Sequence, residues 1–409
     1  MANNPRMLQG YKVLDICQYV AGPTCTRILA ELGADVVKIE PAPSGDRSRA
    51  LTIVRGGMST YFFQHNHSKR AIALDLSKPR ARELIKAMVP KFDVLAESFA
   101  PGVMARMGLD YRALKAVHPA LIMCSVSMAG QTGPLGEKPG FDVIGQAYAG
   151  VTDLVGEPDR PPAVLPMAMG DISTGVAGAL AVAVAIIDRM RTGQGQHIDT
   201  SLLDTYFHMH AHDVPMVSLR PERHHPKREG SHSTIYPPGL FRAHGGYLVV
   251  MATGPQWRDF TRAIGMPELV DDPRFKDGRT RLKNNEALRD VVEKWLAEQP
   301  SVEAAVEVLG KARIPCAPVL ELKDAMQHPH LRTRKTIRRV HDSALGDFDI
   351  PGMPMKFSAW PDRSDVKAPR LGEHNEEVLR EMLGLSDEEI ADLYAQGVLV
   401  KYQPPAPSS

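Results

Sequence analysis

Hydrophobic and polar positions alternate along the first third of the chain in blocks that switch between two periods. Lys12-Val13-Leu14-Asp15-Ile16 is a short apolar run that predicts a strand. Ile28, Leu29 and Leu32 then recur at the spacing of one helix face. Pro23 suits the first turn of that helix and Gly33 a left-handed stop after it. Asp35-Val36-Val37-Lys38-Ile39-Glu40 reads as the next strand, 71–76 as a third, Pro79–Met88 as a helix, and 93–96 and 121–126 as further strands. Strands alternating with helices imply βαβ units and a parallel sheet covered on both faces. Residues 172–187 are uncharged and rich in Ala and Val. A helix apolar all round belongs inside the protein, and this run falls short of the roughly 20 residues that span a membrane.

The texture changes near residue 205, where 206–232 turns to His, Pro and Arg as in a linker crossing between domains. A hairpin strand follows at 245–251, then helical stretches at 256–264, 285–298 and 302–309. A helical pair is expected within 368–400, and Pro404-Pro405-Ala406-Pro407-Ser408-Ser409 is expected to be disordered. The chain has 409 residues, and one core stops growing at roughly 250–300 residues, so two domains are expected. Lys and Arg number 49 against 48 Asp and Glu, a net charge of +1. Such a balance supplies no overall field for nucleic acid. The four cysteines, Cys17, Cys25, Cys124 and Cys316, form no CxxC pair, which speaks against a disulfide framework or a zinc ribbon. With no apolar leader in the first residues, the expectation is a cytoplasmic protein that engages no membrane.

Candidate chemistry is sparse. An opening βαβ closed by acidic Glu40 suggests a dinucleotide site, but that site needs a glycine-rich turn. Here the turn is Val20-Ala21-Gly22-Pro23-Thr24, with one glycine and a proline that removes a donor. A helix N-terminus over a strand end can still receive other phosphate or thioester groups. His208, His210, His212, His224 and His225 cluster without a matching carboxylate, so no metal is expected. The Arg220, Arg223, Lys227 and Arg228 group reads as a solvated face able to attract a dicarboxylate. Asp171, in Met169-Gly170-Asp171-Ile172-Ser173-Thr174-Gly175, has two readings. It is a good N-cap residue, and it is also a carboxylate nucleophile favoured in its ionised form by a helix N-terminus. On the second reading Gly170 and Gly175 keep side chains out of a ligand's path. The motif by itself does not decide.

Several ordered segments resemble the family III CoA-transferases, the CaiB–BaiF group. They are Leu14-Asp15, Ala21-Gly22-Pro23, 32–40, Asn66-His67-Ser68-Lys69-Arg70, Leu74-Asp75-Leu76, Glu97-Ser98-Phe99-Ala100-Pro101-Gly102, Arg106-Met107-Gly108 and Gly140-Phe141-Asp142 with Gln146-Ala147. Gly170-Asp171 with Thr174-Gly175, Gly193-Gln194-Gly195-Gln196 and Pro369-Arg370-Leu371-Gly372-Glu373-His374 complete the match across nearly the whole chain. The resemblance implies an α/β fold: a Rossmann-like doubly wound parallel sheet domain from both chain ends (1–205 and 325–409) that binds CoA. A linker and smaller α+β domain (206–324) are inserted, and two chains interlock as a homodimer, or as a hetero-oligomer with a sister chain.

The resemblance also assigns roles. Asp171 becomes the nucleophile, which attacks an acyl-CoA, forms an anhydride and then an aspartyl-CoA thioester, and passes CoA to a carboxylic acid. CoA and acyl-CoA are then substrates, with no tightly bound cofactor. A glycine-rich loop that supplies oxyanion donors maps to Gly230, Ser231, His232 and Ser233. CoA contacts carried over by position fall on Val20, Leu74, Ser98 and Arg106, with Lys138 one position from a family lysine. A further family arginine is Pro41 here, and the glutamine of the formyl-CoA branch is Val20, which disfavours oxalate and formate specialisation. Succinyl-CoA and a dicarboxylate are the expected donor and acceptor. Two rivals share the fold. One is a 2-methylacyl-CoA racemase, whose histidine position holds Phe141 here, a side chain without acid–base chemistry. The other is a non-catalytic CoA-binding subunit, against which the intact Asp171 motif speaks.

Overall fold

Val13, Leu14 and Ile16 are shut away from solvent because β1 (Lys12–Ile16) runs through the middle of a sheet with apolar cover on both faces. The computed structural model describes residues 6–222, 225–228, 238–361 and 366–403; the expected disordered end at 404–409 lies outside them. After β1 come α1 (Ala21–Glu31), β2 (Asp35–Pro41), α2 (Thr60–Asn66), β3 (Arg70–Leu74), α3 (Pro79–Met88), β4 (Val94–Glu97), α4 (Val103–Arg106), β5 (Ile122–Ser127), α5 (Asp142–Tyr148), α6 (Met169–Thr192), β6 (His197–Ser201) and α7 (Leu202–His208). The six strands form one parallel sheet in the order β3-β2-β1-β4-β5-β6. Strand order reverses beside β1, so a crevice opens between the carboxyl ends of β1 and β4, where open α/β sheets receive ligands.

One face of the sheet carries Leu84, Ile85 and Met88 of α3 together with Val378, Leu379 and Leu393 from the chain's end. The other carries Cys25, Ile28 and Leu29 of α1 with Val182 and Ile186 of α6. α1 and α6 approach closely because α6 is notched. A Cβ at Gly175 would lie 2.6 Å from the Ala21 carbonyl oxygen, and one at Gly178 would meet the Cys25 sulfur at 3.3 Å.

The 172–187 run does not lie wholly inside the protein, contrary to the sequence expectation. α6 buries one stripe, through Gly170, Thr174, Gly178 and Val182, while Leu180 is 65% exposed and Val184, Ile187 and Met190 are also exposed. The helix is long and apolar enough to cross a membrane by length and composition, yet its small-residue stripe is spent on α1 and the sheet.

By internal contacts the chain divides into two compact units, Met1–Gly150, Leu165–Ala211 and Pro329–Ser409 in the first and Val151–Val164 and His212–His328 in the second. In the second, β7 (Pro238–Ala243) and β8 (Gly246–Met251) form a hairpin. Around it lie α8 (Trp257–Ala263), α9 (Asn285–Ala297) and α10 (Val302–Lys311). β9 (Cys316–Pro318) completes an antiparallel sheet. Phe241, Leu248 and Val250 pack there with Phe260, Val292, Trp295 and Leu309.

The last part of the first unit is a hairpin, β10 (Ile337–Asp342) and β11 (Gly346–Pro351), and a helical pair, α11 (Asn375–Leu383) and α12 (Asp387–Ala395). This end seals the open edge of β3. The Ala73 N–H donates to Asn375 Oδ1 at 2.9 Å, the His374 N–H to the Ala71 carbonyl at 2.9 Å, and the Asp75 N–H to the Val398 carbonyl at 2.9 Å. An unpaired edge would otherwise invite association.

Candidate active site

The turn from β1 into α1 is held from below by a buried ionic cluster. Asp15 takes the Lys69 ammonium at 2.9 Å and the Thr26 hydroxyl at 2.8 Å, and accepts the Cys17 N–H at 2.9 Å. Lys38 donates to the Cys17 carbonyl at 2.7 Å and pairs with Asp46 at 2.9 Å. Burial alone would raise the Asp15 carboxyl, but the Lys38 and Lys69 ammoniums outweigh it and hold the carboxyl well below the usual range. Burial brings Lys69 down to about 8 against the pull of Asp15. The turn above is correspondingly fixed: Tyr19 sits at φ +66° with its N–H on Asp46, and the Gln18 N–H reaches Ser98 Oγ at 3.0 Å across the crevice. Glu40 is no ribose ligand here. It is buried, held by Arg49 at 2.6 and 2.7 Å and by the Asp46 N–H at 2.9 Å.

Asp171 is the third residue of α6, and the helix is entered through Ala168, which has no capping side chain. The N-cap reading therefore fails for Asp171. Its backbone N–H donates to Asp142 Oδ2 at 2.9 Å. The neighbouring Gly170 N–H donates to the Tyr206 hydroxyl at 2.9 Å, and that hydroxyl donates to Asp142 Oδ1 at 2.7 Å. The Asp171 carboxylate itself has no hydrogen bond or ion pair among the described residues. Burial, and after it the Asp142 charge, push this carboxyl up to about 7. Tyr61 of α2 faces the same acids, and its phenol is raised by burial and then by Asp171, Asp46 and Asp142. Gly170 and Gly175 do not open a ligand path. A Cβ at Gly170 would strike the Tyr206 ring at 2.1 Å, so both glycines serve helix packing.

The other expected residues divide into three groups. Val20, Leu74 and Ser98 all stand at carboxyl ends of adjacent or nearby strands. Val20 precedes α1, Leu74 closes β3 and Ser98 follows β4. The Val20 and Leu74 side chains are buried, and Leu74 lies in the apolar core with its carbonyl bonded to the Ala42 N–H. Arg106 ends α4, exposed and without an ion pair among the described residues, and Lys138 lies 3.5 Å from the Tyr148 hydroxyl. Gly230, Ser231, His232 and Ser233 lie outside the described residues. Phe141 meets the Tyr19 ring edge-on at 5.6 Å beside Asp142. Beneath Ser98, Glu97 is pushed up to about 7 by burial.

Sequence reasoning missed Asp142, Gln146 and Tyr206 as site residues. Asp142 and Gln146 stood in the quoted motifs without a role, and their i,i+4 spacing was the available signal. Tyr206 was placed in a linker, yet it is buried in α7. Among the described residues no three His, Cys, Asp or Glu side chains are grouped to hold a metal. His210 is spent on the Ala149 carbonyl, and Arg228 pairs with Asp153.

The sequence pattern of CoA-transferase family III matches residues 8–375. A succinyl-CoA–D-citramalate CoA-transferase from Chloroflexus aurantiacus is 33% identical over 403 residues, 97% of this chain and 98% of that protein. A formyl-CoA:oxalate CoA-transferase from Bradyrhizobium diazoefficiens is 31% identical, covering 97% of this chain and 98% of its own. Among solved structures, a CaiB/BaiF family protein from Brucella suis superposes with a TM-score of 0.81 at 32% identity, over 93% of this chain and 100% of that one.

Proposed function

The chain is a CoA-transferase belonging to family III, and on that premise we propose that it moves CoA from a succinyl-CoA-type thioester to a dicarboxylic acid through Asp171. The observation that carries the reading is the Asp171 carboxylate, unpartnered among the described residues at the amino end of α6. In this reading an Asp171 oxygen attacks the thioester carbonyl, the C–S bond breaks, and CoA leaves as thiolate from a mixed anhydride. The thiolate attacks the aspartyl carbonyl, releasing the donor acid and leaving CoA as a thioester on Asp171. The acceptor carboxylate then attacks that thioester, and the returning thiolate takes the acceptor's acyl group and frees Asp171. No proton moves and nothing is oxidised, which is why no Ser/His or Cys/His dyad is needed. Each oxyanion needs N–H donors, typically worth about 3–4 kcal/mol apiece, and the reading assigns these to Gly230 and Ser231.

The first unit is the CoA domain in this reading, with Val20, Leu74, Ser98, Arg106 and Lys138 along the acyl-CoA path. Arg106 suits a phosphate because it is exposed at the end of α4 and forms no ion pair among the described residues. A second copy of the chain, interlocked with the first, covers the bare apolar face of α6. The setting is cytoplasmic, with all four cysteines free. A matrix of acyl-CoA donors against carboxylic acids tests the substrate assignment. Fastest turnover with succinyl-CoA and a C4–C6 dicarboxylate supports it, and preference for formyl-CoA and oxalate contradicts it. Racemisation of a 2-methylacyl-CoA without any acceptor acid contradicts transfer through Asp171 altogether.

A further inference from the structure

Asp142 is the first residue of α5, 8% exposed, and all its hydrogen bonds serve one purpose. Oδ2 accepts the Asp171 N–H, while Oδ1 accepts the Tyr206 hydroxyl and the Gln146 amide, each at 2.7 Å. Gln146 is itself fixed, its Oε1 accepting the Leu165 N–H at 2.9 Å just ahead of α6. A helix entered through Ala168 has no side-chain cap of its own, so α5 and α7 supply it from outside. A neutral serine or asparagine would suffice as a cap. A carboxylate does more, since it sets one anion beside another.

We propose that Asp142 is the positioning residue of the nucleophile, fixing the Gly170–Asp171 backbone and keeping a second negative charge beside the Asp171 carboxylate. That charge makes Asp171 a stronger base and a stronger nucleophile than an isolated aspartate. Once Asp171 is acylated its charge is gone, so the repulsion present in the free enzyme is relieved in both covalent intermediates. The other titratable groups around α6 do not supply this charge. Tyr206 on α7 and Tyr61 on α2 are phenols raised by burial. His65, one turn beyond Tyr61, is kept neutral by burial, which lowers it to about 3. Cys25 on α1 and Cys124 on β5 face Gly178, further along the helix. On β6, His197 bonds Ser125 and Asp199 accepts the Gln131 N–H.

The inference rests on the reading of Asp171 as nucleophile, and a single-turnover assay separates the two. The full-length enzyme is mixed with succinyl-CoA across pH 5–9, and CoA on the Asp171 peptide is followed by mass. The wild type should show a rate rising to a plateau with a midpoint near 7. Asp142→Asn should lower the midpoint by at least about one pH unit and slow the plateau more than about tenfold. Tyr206→Phe keeps the Asp142 charge and should slow the reaction without moving the midpoint. Asp142→Asn with the wild-type midpoint and rate overturns the inference. Should that variant fail to fold, Asp142→Glu carries the test: it keeps the charge and should keep the midpoint, and a lowered midpoint overturns the inference. A wild type that forms no adduct overturns the nucleophile reading instead.

Discussion

Asp171 must be ionised to attack, and its carboxyl is pushed up to about 7 by burial and Asp142. Because protonation disables it, kcat/KM should climb with pH through about 7 and level off above, a profile read by steady-state assays at fixed donor and acceptor. The same shift has a stability consequence of opposite sign. The unfolded carboxyl titrates near 3.8 and the folded one near 7, so the native state is penalised for the charge above pH 7 and carries no penalty below about pH 4. The full penalty is on the order of a few kcal/mol. Asp171→Asn should therefore unfold a few degrees higher than the wild type at pH 8, with the gap closing toward pH 4 in calorimetric scans. The sequence made Asp171 legible as an acid at a helix start, and the resemblance gave it a role. Its setting was not legible, because Asp142, which accepts its N–H, lies 29 residues away along the chain, and Tyr206, which holds Asp142 and the Gly170 N–H, comes beside them only through folding.

At the scale of elements, the βαβ opening was readable because strand and helix periods alternate over full turns there. α2, α5 and α7 were not, since each has seven residues, too few for a 3.6-residue period to repeat convincingly. β6 was missed for another reason. It lies at the sheet's edge, and His197, Asp199 and Thr200 interrupt any apolar run. Two packing devices set the site. The notch at Gly175 lets α1 rest on α6, so Gly175→Ala should separate them. A cost of about 1–3 kcal/mol is expected, seen as a lower Tm together with weaker acyl-CoA binding. The ionic cluster under the Val20 turn is the second. Lys69→Met strands Asp15 beside Lys38 alone. Losing one partner of a buried pair costs about 3–5 kcal/mol, which denaturant titration should report as a large loss of stability with no compensating gain in activity.

For the whole molecule, the arithmetic of length predicted two domains, whereas the exposed side of α6 was hidden by an all-apolar sequence. A run of Ala and Val does not say which stripe meets the core; the glycines at 175 and 178 do. Leu180, Val184 and Ile187 form a bare apolar stripe on α6, the face that the proposed second copy would cover. Analytical ultracentrifugation of the wild type should give a homodimer at micromolar concentration, and Leu180→Asp with Val184→Asp should give monomers or insoluble chains that have lost transferase activity. A soluble, fully active monomeric double variant would contradict an interlocked assembly.

Covalent capture of CoA tests the central claim most directly. The enzyme is incubated with succinyl-CoA in the absence of an acceptor, digested, and mapped by mass spectrometry. The account predicts that the peptide carrying Asp171 gains the mass of CoA less one water, that the adduct vanishes on adding a productive dicarboxylate, and that Asp171→Ala forms none while losing more than about 10³-fold in turnover. Full turnover in Asp171→Ala, with no CoA on any aspartyl peptide of the wild type, would contradict it.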